Sequence, residues 1–290
     1  MADEPARSDR RNRLEHLDPF SVLTPWQRFA VRFAAAFHRQ PILSFARLWH
    51  TLFVETILIP FFIRRLGTSG LERLREVSPD APILVVANHR TYFDLFAIFW
   101  VLRRQKKLRH PICFPVRSDF FYENPLGLFT CALFSGCAMY PPIFRKGRAR
   151  AFNAHAIELL TEELRTPRRM VGFHPEGTRS RSESPYEMLP AKRGAGELVL
   201  SARPVVIPVF ISGMKNSLSA ELADSLRWRP RRPIRLTFGA PIDPRAFPAT
   251  SGEAPSPAEA QACSDALMAA IAALAEEQRQ AIAAGARPVD

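Results

Sequence analysis

Between residues 67 and 240 the chain alternates short, β-branched apolar runs with longer segments of helical period, and this restricts the fold more than any other feature. APILVVAN, PICFPV, RMVGFH, PVVIPVFIS and PIRLTFG read as strands. TYFDLFAIFWVLRR, NPLGLFTCALFSG, FNAHAIELLTEELR and KRGAGELVLSA read as helices. Strands alternating with helices predict an α/β fold: a mixed, mostly parallel central sheet flanked by helices. In such sheets the chemistry sits beyond the carboxyl ends of the strands.

The flanks read differently. WQRFAVRFAAAFHR places Trp26, Phe29, Ala30, Phe33, Ala34 and Phe37 on one helical stripe, with Arg28, Arg32 and Arg39 off it. The next segment, ILSFARLWHTLFVETILIPFFIRR, is interrupted by Arg47, His50, Glu55 and Pro60, so its apolar runs fall short of the roughly 18 residues a spanning helix needs. One reading is a helical hairpin packed on the core. The preferred one is an N-terminal helical membrane-attachment hairpin lying in the headgroup region. At the other end, SPAEAQACSDALMAAIAALAEEQRQAIAAG favours helix and is expected to dock through Leu267, Ile271 and Leu274. The boundaries that follow are a flexible segment over 1–24, a membrane-attachment region over 25–66, the α/β domain over 67–247, and a Pro-rich linker with a C-terminal helix over 248–290.

A net charge of +12 calls for an anionic partner, either nucleic acid, lipid headgroups or a phosphorylated substrate. No nucleic-acid motif accompanies the charge. Cys113, Cys131, Cys137 and Cys263 show neither CxxC spacing nor a His/Cys metal pattern, which predicts no metal site and fits a reducing compartment. The N-terminal residues lack the apolar core of a secretion signal. The cluster RWRPRRPIR carries five arginines and Trp228, suited either to an anionic interface or to a solvated loop.

Two stretches hold candidate chemistry. In VVANHRTYFDLF, His89 stands five residues ahead of Asp94 where a strand gives way to a helix. Thr91 to Asp94 also reads as a capping box, so Asp94 is either a helix cap or the partner of a catalytic imidazole. In HPEGTRSR, a strand runs into a turn presenting Glu176, Gly177, Thr178 and Arg179, with Lys192 and Gly194 opening the next helix. Arginine forks and a helix N-terminus suit such a loop to a phosphate.

Taken in order, NHRTYFD, FPVRSDFFYENPLG, HPEGTRSR and LPAKRGAGELVLSARPVVIPV resemble the boxes of the 1-acylglycerol-3-phosphate acyltransferase type of glycerolipid acyltransferase, over about residues 67 to 240. The resemblance implies transfer of a fatty acyl group from acyl-CoA or acyl carrier protein to the hydroxyl of a lysophospholipid. The first acceptor to expect is 1-acylglycerol-3-phosphate, giving phosphatidate, with no cofactor and no acyl-enzyme. It makes His89 the general base and Asp94 the group that orients it. It gives Glu176, Gly177, Thr178 and Arg179 the acceptor headgroup, with Arg145, Lys192 and Arg117 as further candidates. It places the chain peripherally or monotopically on the cytoplasmic face of a membrane.

Two departures stand out. His174 replaces the family's usual phenylalanine. In GCAMYPPIFRKGR, Pro142 occupies the place of a phosphate-contacting arginine, with Arg145 three residues on. Either Arg145 substitutes from a shifted loop or the acceptor differs, for example a lyso-ornithine lipid or another lysophospholipid. A non-catalytic peripheral lipid-binding protein of the same fold is the remaining reading.

Overall fold

The computed structural model describes residues 18–62, 66–214, 233–248 and 254–285, with the single positions 217, 223, 250 and 252. Most of the expected flexible segment, Arg64 and Arg65, and the cluster from Arg227 to Arg232 lie outside the described residues.

Thr24 caps the first helix, α1 (Pro25–Ala36): its hydroxyl accepts from the Gln27 amide and the Gln27 side chain accepts from the Thr24 amide. α1 buries Ala30, Val31 and Ala34 and turns Phe29 and Phe33 outward, while Trp26 and Phe37 pack against the core. α2 (Ile42–Trp49) continues through a π-helical stretch, His50–Leu58, into a last turn, Ile59–Phe62. No helix among the described residues is long and apolar enough to cross a membrane.

The domain then follows the alternation seen in the sequence. Its elements are β1 (Leu66–Ser69), β2 (Ile83–Ala87), α3 (Asp94–Arg104), β3 (Ile112–Cys113), β4 (Val116–Arg117), α4 (Pro125–Ser135), β5 (Pro142–Ile143), α5 (Phe152–Arg165), β6 (Met170–Phe173), α6 (Gly194–Ala202), β7 (Val205–Ser212), β8 (Ile234–Phe238) and α7 (Pro257–Ala283). Six strands form one sheet in the order β1-β8-β7-β2-β6-β3, and β4 pairs with β5 in a small second one. Only the β7–β8 pairing is antiparallel, so the sheet is mixed and mostly parallel as expected. β2 lies at its centre with every residue buried, the mark of a strand covered on both faces.

Two apolar layers cover the sheet. One gathers α1, α3 and α4 around Phe99, Phe152 and Phe238; the other gathers α6 and α7 around Leu198, Val199, Leu267 and Ile271. In the second, α6 and α7 approach so closely that a Cβ at Gly196 would fall 1.9 Å from the Ala260 carbonyl oxygen. Leu267, Ile271 and Leu274 are buried, as the sequence predicts.

One detail departs from expectation. The helix begins at Asp94, with Phe93 before its first turn, and only one half of the capping box forms: the Asp94 carboxylate accepts from the Thr91 amide. Thr91 closes the bend instead, its hydroxyl accepting from the Phe93 amide at 2.9 Å. The carboxylate has stronger partners upstream, and those pull the chain into a tight turn.

Candidate active site

The strand ends of β2 and β6 carry the site. Asn88, one residue beyond β2, ties it to β7: its amide donates to the Ile211 carbonyl at 3.0 Å and accepts from the Ile211 amide at 2.8 Å. With the backbone fixed there, His89 emerges at the carboxyl edge of the sheet.

The His89 Nδ1 lies 3.0 Å from Asp94 Oδ2. The same oxygen accepts from the backbone amides of Arg90 at 2.6 Å and Thr91 at 2.8 Å, and Oδ1 accepts from the Thr91 hydroxyl at 3.2 Å. A carboxylate so surrounded by donors keeps its negative charge even where burial pushes its pKa up. Its partner is therefore the Nδ1–H tautomer of His89, which leaves the Nε2 lone pair available. Asp94 is fully buried while the His89 side chain retains 22% exposure, so the imidazole alone can reach a substrate. Burial, and then the nearby charges of Arg179 and Arg145, hold His89 below the usual imidazole range and keep it neutral near pH 7.

Glu176 belongs to the same framework. It is 1% exposed; Oε1 accepts from the His89 amide at 2.7 Å and Oε2 from the Leu189 amide at 2.8 Å. With both oxygens engaged, Glu176 clamps the loop after β6 onto the end of β2 and does not reach a headgroup. Around it the Ser180 amide donates to the His89 carbonyl, Lys192 N to the Pro175 carbonyl, and Gly177 N to the His174 carbonyl. Gly177 sits at φ 62°, a left-handed value that suits glycine. The Lys192 side chain runs beside it, since a Cβ there would meet Lys192 Cδ at 3.0 Å. Thr178 is half-buried in the same turn.

Three arginines face this framework with lighter support. Arg179 lays its guanidinium over the Tyr92 ring at 4.0 Å and donates to the Tyr92 hydroxyl at 3.0 Å. Arg145, from the loop after β5, donates to the Gly177 carbonyl at 2.9 Å, which brings a cation to the turn after β6. Arg117 pairs with Asp119 and stacks over Phe120 at 5.0 Å, which leaves it more committed to the protein than the other two. The structure thus gathers the predicted residues at one strand edge and divides them into anchored carboxylates and outward arginines.

Tyr92, Arg90 and His174, to which the sequence assigned no site role, complete the site. Tyr92 is the plate for Arg179. Arg90 is buried and braces the loop after the PEGTR turn, donating to the carbonyls of Ser182 at 2.8 Å and Ser184 at 3.1 Å. Both lie between His89 and Asp94, in the variable positions of the box, where spacing carries no signal. His174 stacks on His89, with ring centroids 3.9 Å apart and planes 8° from parallel, and its Nδ1 bonds the Ala87 carbonyl at 2.9 Å.

Two groups of possible metal donors occur among the described residues, His89–Asp94–His174 and His38–Cys113–Glu163. Several of these residues already serve the protein. His38 bonds the Cys137 carbonyl and Glu163 pairs with Arg169, while His89, Asp94 and His174 are engaged as above.

A mostly parallel α/β sheet thus presents, at its carboxyl edge, an imidazole bonded to a buried carboxylate and faced by arginines. The chain belongs to the acyltransferase family, whose model, described as Acyltransferase, matches residues 65–212. It is similar to 1-acyl-sn-glycerol-3-phosphate acyltransferase alpha of Mus musculus, 28% identical over 193 residues that make up 64% of this chain and 56% of that protein. Proteins of the same name from Homo sapiens and Bos taurus are 29% identical over 144 residues, 48% of this chain and 43% and 42% of theirs. The chain spans about half the length of the curated relatives it matches.

Proposed function

We propose that the protein transfers a fatty acyl group from a thioester, acyl-CoA or acyl carrier protein, to the free hydroxyl of a lysophospholipid. The acceptor that fits best is 1-acylglycerol-3-phosphate, with phosphatidate as product. The observation that carries this is a partly exposed His89 imidazole bonded through Nδ1 to a buried Asp94 and faced by Arg179 and Arg145. The names of the relatives point to the same acceptor.

In this mechanism His89 Nε2 takes the acceptor hydroxyl proton as the oxygen attacks the thioester carbonyl. Asp94 stabilises the imidazolium that forms. The tetrahedral intermediate collapses, the C–S bond breaks, and the leaving thiolate takes the proton back from His89. Arg179 and Arg145 bind the acceptor phosphate, Arg179 through its planar fork and Arg145 from the loop that replaces the family's usual arginine. Lys192 and Thr178 border that position, and Arg117 lies further out beside Phe120.

The protein works at a membrane surface, where both acceptor and product reside, and attaches peripherally or monotopically through the outward apolar faces of α1 and α2. The cytoplasmic face is where acyl-CoA and acyl carrier protein are available.

The test is acylation of lysophosphatidate by purified protein with labelled acyl-CoA, beside an acceptor screen that includes lyso-ornithine lipid and neutral lysophospholipids. Wild type is expected to favour lysophosphatidate and His89→Ala to be inactive while still folded. Equal incorporation by both proteins overturns the mechanism. Transfer only to acceptors without a terminal phosphate overturns the acceptor and leaves the chemistry standing.

A further inference from the structure

We infer that α4 is a second lipid-facing element, independent of the N-terminal helices, which extends the membrane contact surface to the mouth of the active site. The inference rests on the membrane reading above and adds to it a segment inside the α/β domain.

α4 contains no charged residue from Pro125 to Ser135. A helix that is apolar on all sides belongs in a core or in lipid. Only one face of α4 is in the core: Gly127, Leu128, Cys131 and Ser135 are buried. The opposite face, at positions 126, 129, 130, 133 and 134, follows helical spacing and turns outward, with Leu126 73%, Phe129 61% and Phe134 37% exposed. Large apolar side chains in one contiguous row on a monomer's surface mark an interaction site.

The row is continuous with two others. The Trp49 indole donates to the Leu133 carbonyl at 2.8 Å, which fixes α4 beside α2 and the outward Phe45, Leu48 and Leu52. On the other side, α4 packs on the turn holding Phe120, which is 43% exposed and meets the Tyr92 ring edge-on at 5.9 Å. Tyr92 carries Arg179. Neighbouring elements therefore carry outward apolar side chains from α2, through α4, to the turn whose Phe120 meets the ring under Arg179.

Charge selects the occupant. Arg47 reaches the Arg109 carbonyl at one edge of this surface, and Arg117 lies over Phe120 at the other. Basic residues bordering the patch, on a chain of net charge +12, oppose a second copy and match an anionic bilayer. A lysolipid lying in that bilayer would reach His89 by lateral passage past Phe120, its headgroup rising to Arg179 and its chain remaining in lipid.

The experiment uses the full chain labelled with an environment-sensitive fluorophore at Phe129→Cys. The four native cysteines are buried, which makes the label selective. Parallel labels go at Phe45→Cys on α2 and at the exposed Ala272→Cys on α7, in the opposite layer. With phosphatidylglycerol–phosphatidylcholine vesicles, the labels at 129 and 45 should brighten severalfold and be quenched by acyl-chain-labelled lipid, and the label at 272 should not respond. Leu126→Ser with Phe129→Ser should lower vesicle partitioning by about tenfold or more, from the apolar area withdrawn from lipid. A response at 45 without one at 129 overturns the assignment of α4. So does a response at 129 that follows protein concentration without vesicles, which would mean self-association. Silence at both positions overturns membrane attachment through this face altogether. Lipid insertion at 129 in a protein that acylates nothing would leave this inference standing and remove the catalytic reading.

Discussion

The two walls of the site are built differently. On the strand side, Asp94 and Glu176 are buried and all four carboxylate oxygens have donors within the protein. On the opposite side, Arg179 and Arg145 rest on a ring face, a hydroxyl and one backbone carbonyl. Buried carboxylates without such partners would be costly, so the strand side can hold its shape only if every donor is in place. The arginines are more open to solvent, Arg179 half-buried and Arg145 exposed. On the proposed mechanism chemistry falls to the anchored wall and recognition to the more exposed one, and substitutions should separate accordingly into losses of kcat and losses of affinity.

The largest effect is expected at Asp94→Asn. With its nitrogen in the place of Oδ2, asparagine opposes the Arg90 and Thr91 amides and favours the wrong tautomer of His89; with its oxygen there it keeps those bonds but loses the charge that stabilises the imidazolium. Loss of a like carboxylate behind a catalytic histidine costs about 10⁴-fold in kcat, so a fall of ~10³ to 10⁴ with little change in the KM for lysophosphatidate is expected. A mainly KM effect in steady-state kinetics would break the division of labour between the walls.

Glu176→Gln comes next. Glutamine offers one acceptor where two backbone amides, those of His89 and Leu189, must be satisfied, and its own N–H₂ opposes the other. One unsatisfied buried donor costs about 1–3 kcal/mol, readable as a lower urea midpoint. Since the His89 amide is one of the two, kcat should fall by about 10²-fold, through position rather than proton transfer. An unchanged urea midpoint with a raised KM would return Glu176 to the headgroup.

These two residues also show how far sequence reaches. Strands and helices with several turns of period, such as β2, β7, α5 and α7, were legible because apolar spacing is imposed by the layer they pack against. β1 and β5, four and two residues long with Gly67 and Pro142 among them, show no period and appear only through pairing with distant strands. The imidazole and its carboxylate were legible because a strand end followed by a helix start fixes their separation. The part played by Glu176 was not, since spacing does not tell whether a carboxylate meets solvent or two backbone amides 13 and 87 residues away. Tyr92 and Arg90 escaped for the same reason: their partners lie across the cleft.

On the arginine wall, Arg145→Ala and Arg179→Ala should each raise the KM for lysophosphatidate by about ten- to a hundredfold, the worth of a charge-assisted bond to phosphate, with kcat nearly retained. Both charges also depress the His89 pKa. Catalysis needs the neutral imidazole, so kcat/KM falls as pH drops through that pKa. With the pKa lowered, wild type should hold its rate into mildly acidic solution. Removing either charge should move the acid limb to higher pH, towards the ordinary imidazole value. A limb that stays put in both variants would separate the arginines from the base and break the link between the walls.

The smallest effect is expected at His174→Phe, and it asks whether the rigid wall contains one working imidazole or two. His174 lies flat on His89 and bonds the Ala87 carbonyl, two residues before the base on the same chain. Burial and then the neighbouring His89 charge keep His174 well below the usual imidazole range, so both rings are neutral at working pH. Phenylalanine preserves the flat ring and gives up one hydrogen bond, a cost of about 1 kcal/mol in stability. If His174 only plates the base, kcat should change by no more than a few-fold and the acid limb of the pH profile should superimpose on that of wild type. If instead the limb shifts by about a full unit, His174 acts on His89 electrostatically, by sharing its proton or by setting the polarity around it, and not as packing alone. The pH profile separates a packing role from an electrostatic one, which a rate at a single pH cannot do.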